Sequence, residues 1–256
     1  MSGVGAVLRK ELTIYFATPI FYLMGFFFLV VEGFLFFFIY FGYFQTASFQ
    51  VVQNPQLAAM VDPYQVVFRS FFEDLGFIFL LITPILTMRL LAEEKRSGTA
   101  ELLFTYPLPD WGVILGKFLA ALAVFIMFLL FTICYPLIFA FLTRMDWGQM
   151  ASGYLGVLFL GAACLALGLF ASSLTQNQII AAISTFALLL LFWLIGVQQD
   201  EGSAPAGFLA VLSLREHLPN LAKGVIDTKD LIFYLCFTYF FLFLTKRQLE
   251  SRRWRA

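Results

Sequence analysis

The chain has 256 residues, 61% of them hydrophobic, 19% aromatic and only 12% charged, with a formal net charge of zero. Soluble chains carry about 25% charged residues, and a soluble domain of this size has no interior large enough to hide 34 phenylalanines. Composition therefore excludes a soluble globular protein, and no nucleic-acid partner is expected. It points to an all-α polytopic membrane protein, because several stretches reach the roughly 20 apolar residues that cross a hydrocarbon core.

Residues 4–18 place Val4, Val7, Leu8, Leu12 and Tyr15 on one helical face, with Arg9, Lys10 and Glu11 off it. This periodicity predicts an amphipathic helix lying in the membrane interface, a connector over 1–19 that Pro19 ends. The first apolar run follows that mixed stretch and is too long for a signal-peptide core.

Six spans are predicted: 20–44, 66–91, 113–142, 151–172, 179–197 and 231–245. The first carries Glu32 near its middle, an acidic group at a depth where charge is costly. Residues 45–65, with Pro55 and Pro63, read as an outside loop. Pro84 is placed to kink the second span, and Lys117 to snorkel from the start of the third. The fourth is rich in small residues (Gly153, Gly156, Gly161, Ala162, Ala163, Ala166, Gly168 and Ala171), which let helix backbones approach closely. The last span is short for a bilayer of about 30 Å. Before it, residues 198–230 read as an outer loop followed by one or two short interfacial helices, with Leu214, Leu218, Leu221 and Val225 at helical spacing. Cys134, Cys164 and Cys236 lie within apolar spans and read as small hydrophobes.

An even number of spans puts both termini on one side. With the termini inside, inner segments hold Arg9, Lys10, Arg89, Lys95, Arg96, Lys117, Lys246, Arg247, Arg252, Arg253 and Arg255, whereas outer ones hold Arg69, Arg144, Arg215, Lys223 and Lys229. The positive-inside rule then predicts cytoplasmic termini and a cytoplasmic loop over 89–117.

Catalysis fails on inventory. The single histidine, His217, lies on the outer amphipathic segment, so no histidine cluster can hold a metal, and no glycine-rich phosphate loop is present to bind a nucleotide. The remaining polar feature is the 89–117 loop. Ser97 or Thr99 can cap a short helix with Glu101 in its first turn, Pro107 and Pro109 end it, and Leu102, Leu103 and Phe104 are offered to the cytoplasm. This pattern predicts a docking element.

The run LTMRLLAEEKRSGTAELLFTYPLPDWGVILGKFLAAL resembles type-2 ABC exporter permeases, in the subgroup of the gliding-motility and nitrous-oxide-reductase-maturation permeases. LRKELTIYFATPIFYL is similar to the amino-terminal connector of that family, and LSLREHLPNLAKGVIDTKDLIFYL to the segment before its last span. The resemblance implies that 1–256 is one permease domain of an inner-membrane exporter, with no catalytic residue and no cofactor of its own. ATP and magnesium would belong to a partner ABC ATPase dimer. That ATPase would seat on Glu93, Glu94, Arg96, Gly98, Thr99, Glu101, Leu102, Leu103 and Phe104, with Arg9, Lys10 and Glu11 of the connector completing the seat. Further implied partners are a second copy or a homologous permease, membrane lipid, and an accessory membrane protein with a large periplasmic domain. Glu32, Leu214, His217, Leu218 and Gly224 are the candidate pathway or gating residues. An alternative within the same resemblance is an ATPase-driven scaffold that pulls on an outer-side partner and moves no substrate.

Overall fold

The computed structural model describes residues 3–42, 45–46, 49, 63–98, 110–142, 147–195 and 211–253, and among these every regular element is helical. In chain order they are α1 (Gly3–Ala17), α2 (Pro19–Phe34) with a π-helical continuation (Leu35–Tyr40), α3 (Pro63–Thr87), α4 (Ala92–Arg96), α5 (Asp110–Thr132), α6 (Cys134–Leu142), α7 (Trp147–Leu174), α8 (Gln178–Leu194), α9 (Leu218–Ala222) and α10 (Thr228–Arg253).

Prolines set two of the breaks. Thr18 is extended (φ −96°, ψ 124°) because it precedes Pro19, which occupies the first turn of α2, where no amide donor is needed. The third span divides between Thr132 and Cys134, because the ring of Pro136 would meet the carbonyl four residues earlier. The span predicted over 113–142 is thus two helices, and the Ile133 amide turns back to the Leu130 carbonyl at 3.2 Å.

α7 is the hub of the packing, with α3, α5, α8, α9 and α10 all resting on it. Its small residues are contact points, as the sequence predicts. The Phe72 ring lies over Gly153, Leu221 over Gly156, Phe125 over Gly161 and Thr87 over Gly168, and a Cβ at Gly156 would come within 2.8 Å of the Leu221 side chain. By contrast α2 turns Leu23, Phe26, Phe27, Val30 and Phe34 outward, and α8 does so with Ile179, Ile183, Leu191 and Leu194. Continuous apolar exposure on this scale suits lipid, not water.

Among the described residues, five helices are long and apolar enough to cross a membrane: Pro19–Phe38, Val67–Arg96, Asp110–Ile138, Trp147–Leu174 and Thr228–Ser251. α8, the fifth span of the sequence reading, has 17 residues, about 26 Å at 1.5 Å per residue. Residues 196–197, which that reading included, lie outside the described residues.

Two expectations are corrected. The last span is not short, since it runs for 24 residues. At its start, Asp230 is buried but held by His217 and Asn220, and at its end Lys246 and Arg247 pair with Glu250, so polar residues extend the helix at both ends. Lys117 does not snorkel, because its side chain is 1% exposed and points into a cluster of charges.

Candidate functional site: a charged cluster joining α1, α4 and α5

α1 lies along α5, and the two come together at Gly116, where a Cβ would stand 2.7 Å from that of Val7 and 3.1 Å from the Val4 carbonyl. One turn further along α1 from Val7, Glu11 meets Lys117 of α5. Lys117 Nζ donates to Glu11 Oε1 at 2.6 Å and lies 2.9 Å from Glu94 Oε1 on α4. Lys10 Nζ donates to the same Glu94 oxygen at 2.6 Å and stands 3.8 Å from Glu11. Two ammonium groups and two carboxylates thus form one neutral cluster across three helices. Glu11 and Glu94 are 8% and 12% exposed at their side chains, whereas Lys10 is 48% exposed. Burial opposes the Lys10 charge, but the hydrogen bond and charge of Glu94, helped by Glu11 and Glu93, outweigh it and hold the ammonium above its ordinary range.

Further ties fix α1 against the elbow between α3 and α4. The Tyr15 hydroxyl donates to the Leu86 carbonyl at 2.7 Å. Arg89 bridges Glu93 at 2.8 Å and the Thr18 hydroxyl, in the α1–α2 break, at 3.1 Å. At the elbow itself the backbone leaves its helix, and Ser172 of α7 supplies what is missing. Its Oγ accepts from the Leu91 and Ala92 amides at 3.2 and 3.1 Å and donates to the Met88 carbonyl at 3.2 Å. Lys95 adds a hydrogen bond to the Ser173 carbonyl. A recess of about 270 Å³ opens against the cluster, bordered by Lys10, Glu11, Tyr15, Arg89, Glu93 and Lys117.

This geometry revises several expectations. The predicted docking helix does not run unbroken from Glu93. α4 ends at Arg96, and Gly98 takes a left-handed φ of 72° that glycine tolerates at a helix C-terminus. Ser97 serves the end of α4, its hydroxyl donating to the Glu93 carbonyl at 2.9 Å. Thr99, Glu101, Leu102, Leu103 and Phe104 lie outside the described residues. Of the other expected docking groups, Arg9, Lys10, Arg96 and Gly98 are exposed and Glu93 is half-buried, whereas Glu11 and Glu94 are turned inward. Glu11 is on the buried face of α1 because Lys117 neutralises it there. Lys117, Ser172, Tyr15 and Arg89 are absent from the sequence-derived docking set, and only Lys117, a lone cation inside an apolar helix, carried a signal of buried charge pairing.

The predicted gating residues fall in two places. Leu214 and Leu218 are buried, and α9 is clamped to α7 by Gln149, whose side-chain amide donates to the Ala222 carbonyl at 3.0 Å, and by Ser152, whose hydroxyl donates to Leu221 at 2.7 Å. His217, on the outer amphipathic segment, is held between Asp230 (2.7 Å) and the Val211 carbonyl (3.1 Å) and stacks on Phe233 at 4.0 Å between ring centres. Gly224, at φ 94°, ends this segment against Gln149, so Val225 leaves the apolar stripe and is exposed. One short helix, α9, forms among the described residues. Glu32 lies elsewhere, on α2, which packs against α3 and α5.

Residues 6–242 match the family model described as ABC-2 family transporter protein. No curated protein matches the sequence.

Proposed function

Since the chain belongs to the ABC-2 transporter family, and is therefore a membrane permease component of an ABC transporter and not itself catalytic, we propose that it receives the stroke of a separate ATPase through the charged cluster of α1, α4 and α5. Family membership implies association with an ABC ATPase and paired membrane components. The reading goes further. The chain is an exporter subunit of a bacterial inner membrane, with six spans, cytoplasmic termini, and ATP and magnesium held by the partner. Its type is that of the gliding-motility and nitrous-oxide-reductase-maturation permeases. An accessory membrane protein with a periplasmic domain is a further partner under the same reading.

One observation carries the coupling claim: Lys117 binds Glu11 and Glu94 together, 2.6 and 2.9 Å away. A push on the segment after Gly98 then cannot move α4 without also moving α1 and α5. Coupling requires such a stiff joint, since energy passes between sites only through elements that move as a body. The seat itself would include exposed Arg9, Arg96 and Gly98 together with 99–104.

The test uses the chain reconstituted in proteoliposomes with its ATPase. Glu94→Gln and Lys117→Met, each still bound to the ATPase, are expected to lower permease-dependent ATP hydrolysis several-fold, about 0.5–2 kcal/mol of coupling. Full stimulation in both folded variants rejects the claim. ATP-dependent movement of a labelled apolar cargo in the same vesicles distinguishes export from a scaffold that only pulls.

A further inference from the structure

We propose that Glu32 is a membrane-buried proton-binding site, occupied by a proton in this conformation. The site is independent of the ATPase coupling argued above. Glu32 lies in the first span and is 0% exposed. Among the described residues, neither of its carboxyl oxygens has a hydrogen-bond partner. An ionised carboxylate stripped of water, cation and donors is too costly to keep, so the group is stable there only as the neutral acid.

Its surroundings contain donors, but each is committed elsewhere. Tyr135 packs over Gly33, where a Cβ would lie 3.3 Å from the phenol oxygen, and its hydroxyl donates to the Leu29 carbonyl at 2.7 Å. Tyr154 of α7 is paired with Thr132 at 3.4 Å. Tyr40 donates to Asp74 of α3. Glu32 lies within electrostatic reach of all three phenols and of Asp74. The remaining charged or titratable groups on the packed elements do not compensate it. Arg69 is paired with Glu73 at 2.7 Å, and Cys134 donates to the Phe131 carbonyl at 2.9 Å. Among the described residues, the charged group that acts on Glu32 is thus another carboxyl, that of Asp74, and not a cation.

The backbone supplies a second sign of function. Directly after Glu32 the helix widens into a π turn over Leu35–Tyr40, a local geometry often found at functional sites. The turn leads from the buried acid to Tyr40, and Tyr40 touches Asp74, which is exposed. No hydrogen-bonding group among the described residues touches the carboxyl to take its proton, and a carboxylate cannot stay in the present packing, so exchange of the proton requires the packing to open. Ionisation of Glu32 therefore favours movement of α2 away from α3 and α6.

Infrared spectroscopy of the full chain in lipid nanodiscs tests this. At pH 7 the wild type is expected to show a carboxylic-acid C=O band that Glu32→Gln lacks, that shifts in D2O, and that fades as the pH is raised. Superimposable wild-type and Glu32→Gln spectra overturn the proposal, as does a band unchanged up to the pH at which the protein unfolds. Loss of the band on adding a simple ammonium or metal cation at constant pH assigns the site to cations and also overturns it. Glu32→Met provides the folding control. If both neutral variants fail to assemble where the wild type succeeds, the carboxylate itself is required and the proposal falls.

Discussion

The α1–α4–α5 cluster and Glu32 both take carboxyl groups out of water, and they do so by opposite means. In the cluster, the Glu11 and Glu94 carboxyls are each met by an ammonium group that donates at 2.6 Å, Lys117 to Glu11 and Lys10 to Glu94. At Glu32 the described residues provide no cation and no donor. The difference separates a joint from a site with exchangeable occupancy. A neutral, mutually saturated cluster resists change with pH or ligand and can carry force, whereas a lone acid must change state to change its surroundings. The comparison is broken most severely by Lys117→Met. Methionine fills a similar volume but leaves two carboxylates facing each other in a dry joint, and losing one partner of a buried pair costs about 3–5 kcal/mol. Unfolding in mixed SDS–detergent micelles should register that loss. If Lys117→Met unfolds like the wild type, the cluster is not the structural joint described here.

A smaller effect is expected at the elbow, where the saturating group is neutral. Ser172→Ala removes the acceptor for the Leu91 and Ala92 amides, both on buried residues. A buried amide left without a partner costs about 1–3 kcal/mol. The same unfolding assay, with faster hydrogen exchange at those two amides, checks it. Unaltered exchange would mean that the elbow is held by other contacts.

Five of the six predicted spans and the packing role of α7 were legible because both depend on local pattern: runs of apolar residues, and glycines recurring where other helices press in. Glu32 stood out for the same reason, as an acid in an apolar run. The cluster was not legible. Its contacts join positions 84 and 106 residues apart in the chain, and periodicity does not report which distant helix supplies a counter-charge. Glu11 was therefore read as an outward group and Lys117 as a snorkelling one. The break after α4 was not anticipated, since Ser-Gly-Thr can open a helix through its hydroxyls and also close one through its glycine. The φ of 72° at Gly98 closes α4, and the residues from 99 on lie outside the described ones. Hydropathy also cut the last span short, because it scores Asp230 and Lys246 as polar without knowing that His217, Asn220 and Glu250 satisfy them.

Lys10→Met should have the smallest effect, and it probes the boundary between the two regimes. Lys10 donates to the same Glu94 oxygen that Lys117 approaches, yet about half of its side chain reaches solvent. Water and salt screen it, and Glu94 keeps Lys117 when Lys10 is removed, so the loss belongs with exposed pairs, at about 0–1 kcal/mol. Its pH dependence has a definite sign. The folded state holds the Lys10 proton more tightly than the ordinary value of 10.5, so the contribution is complete below that value and disappears as the pH rises through the higher folded one. The stability gap between wild type and Lys10→Met should therefore stay constant from pH 6 to the ordinary lysine range, narrow above it, and shrink with added salt. A gap as large as that of Lys117→Met would place Lys10 inside the dry joint rather than at its rim.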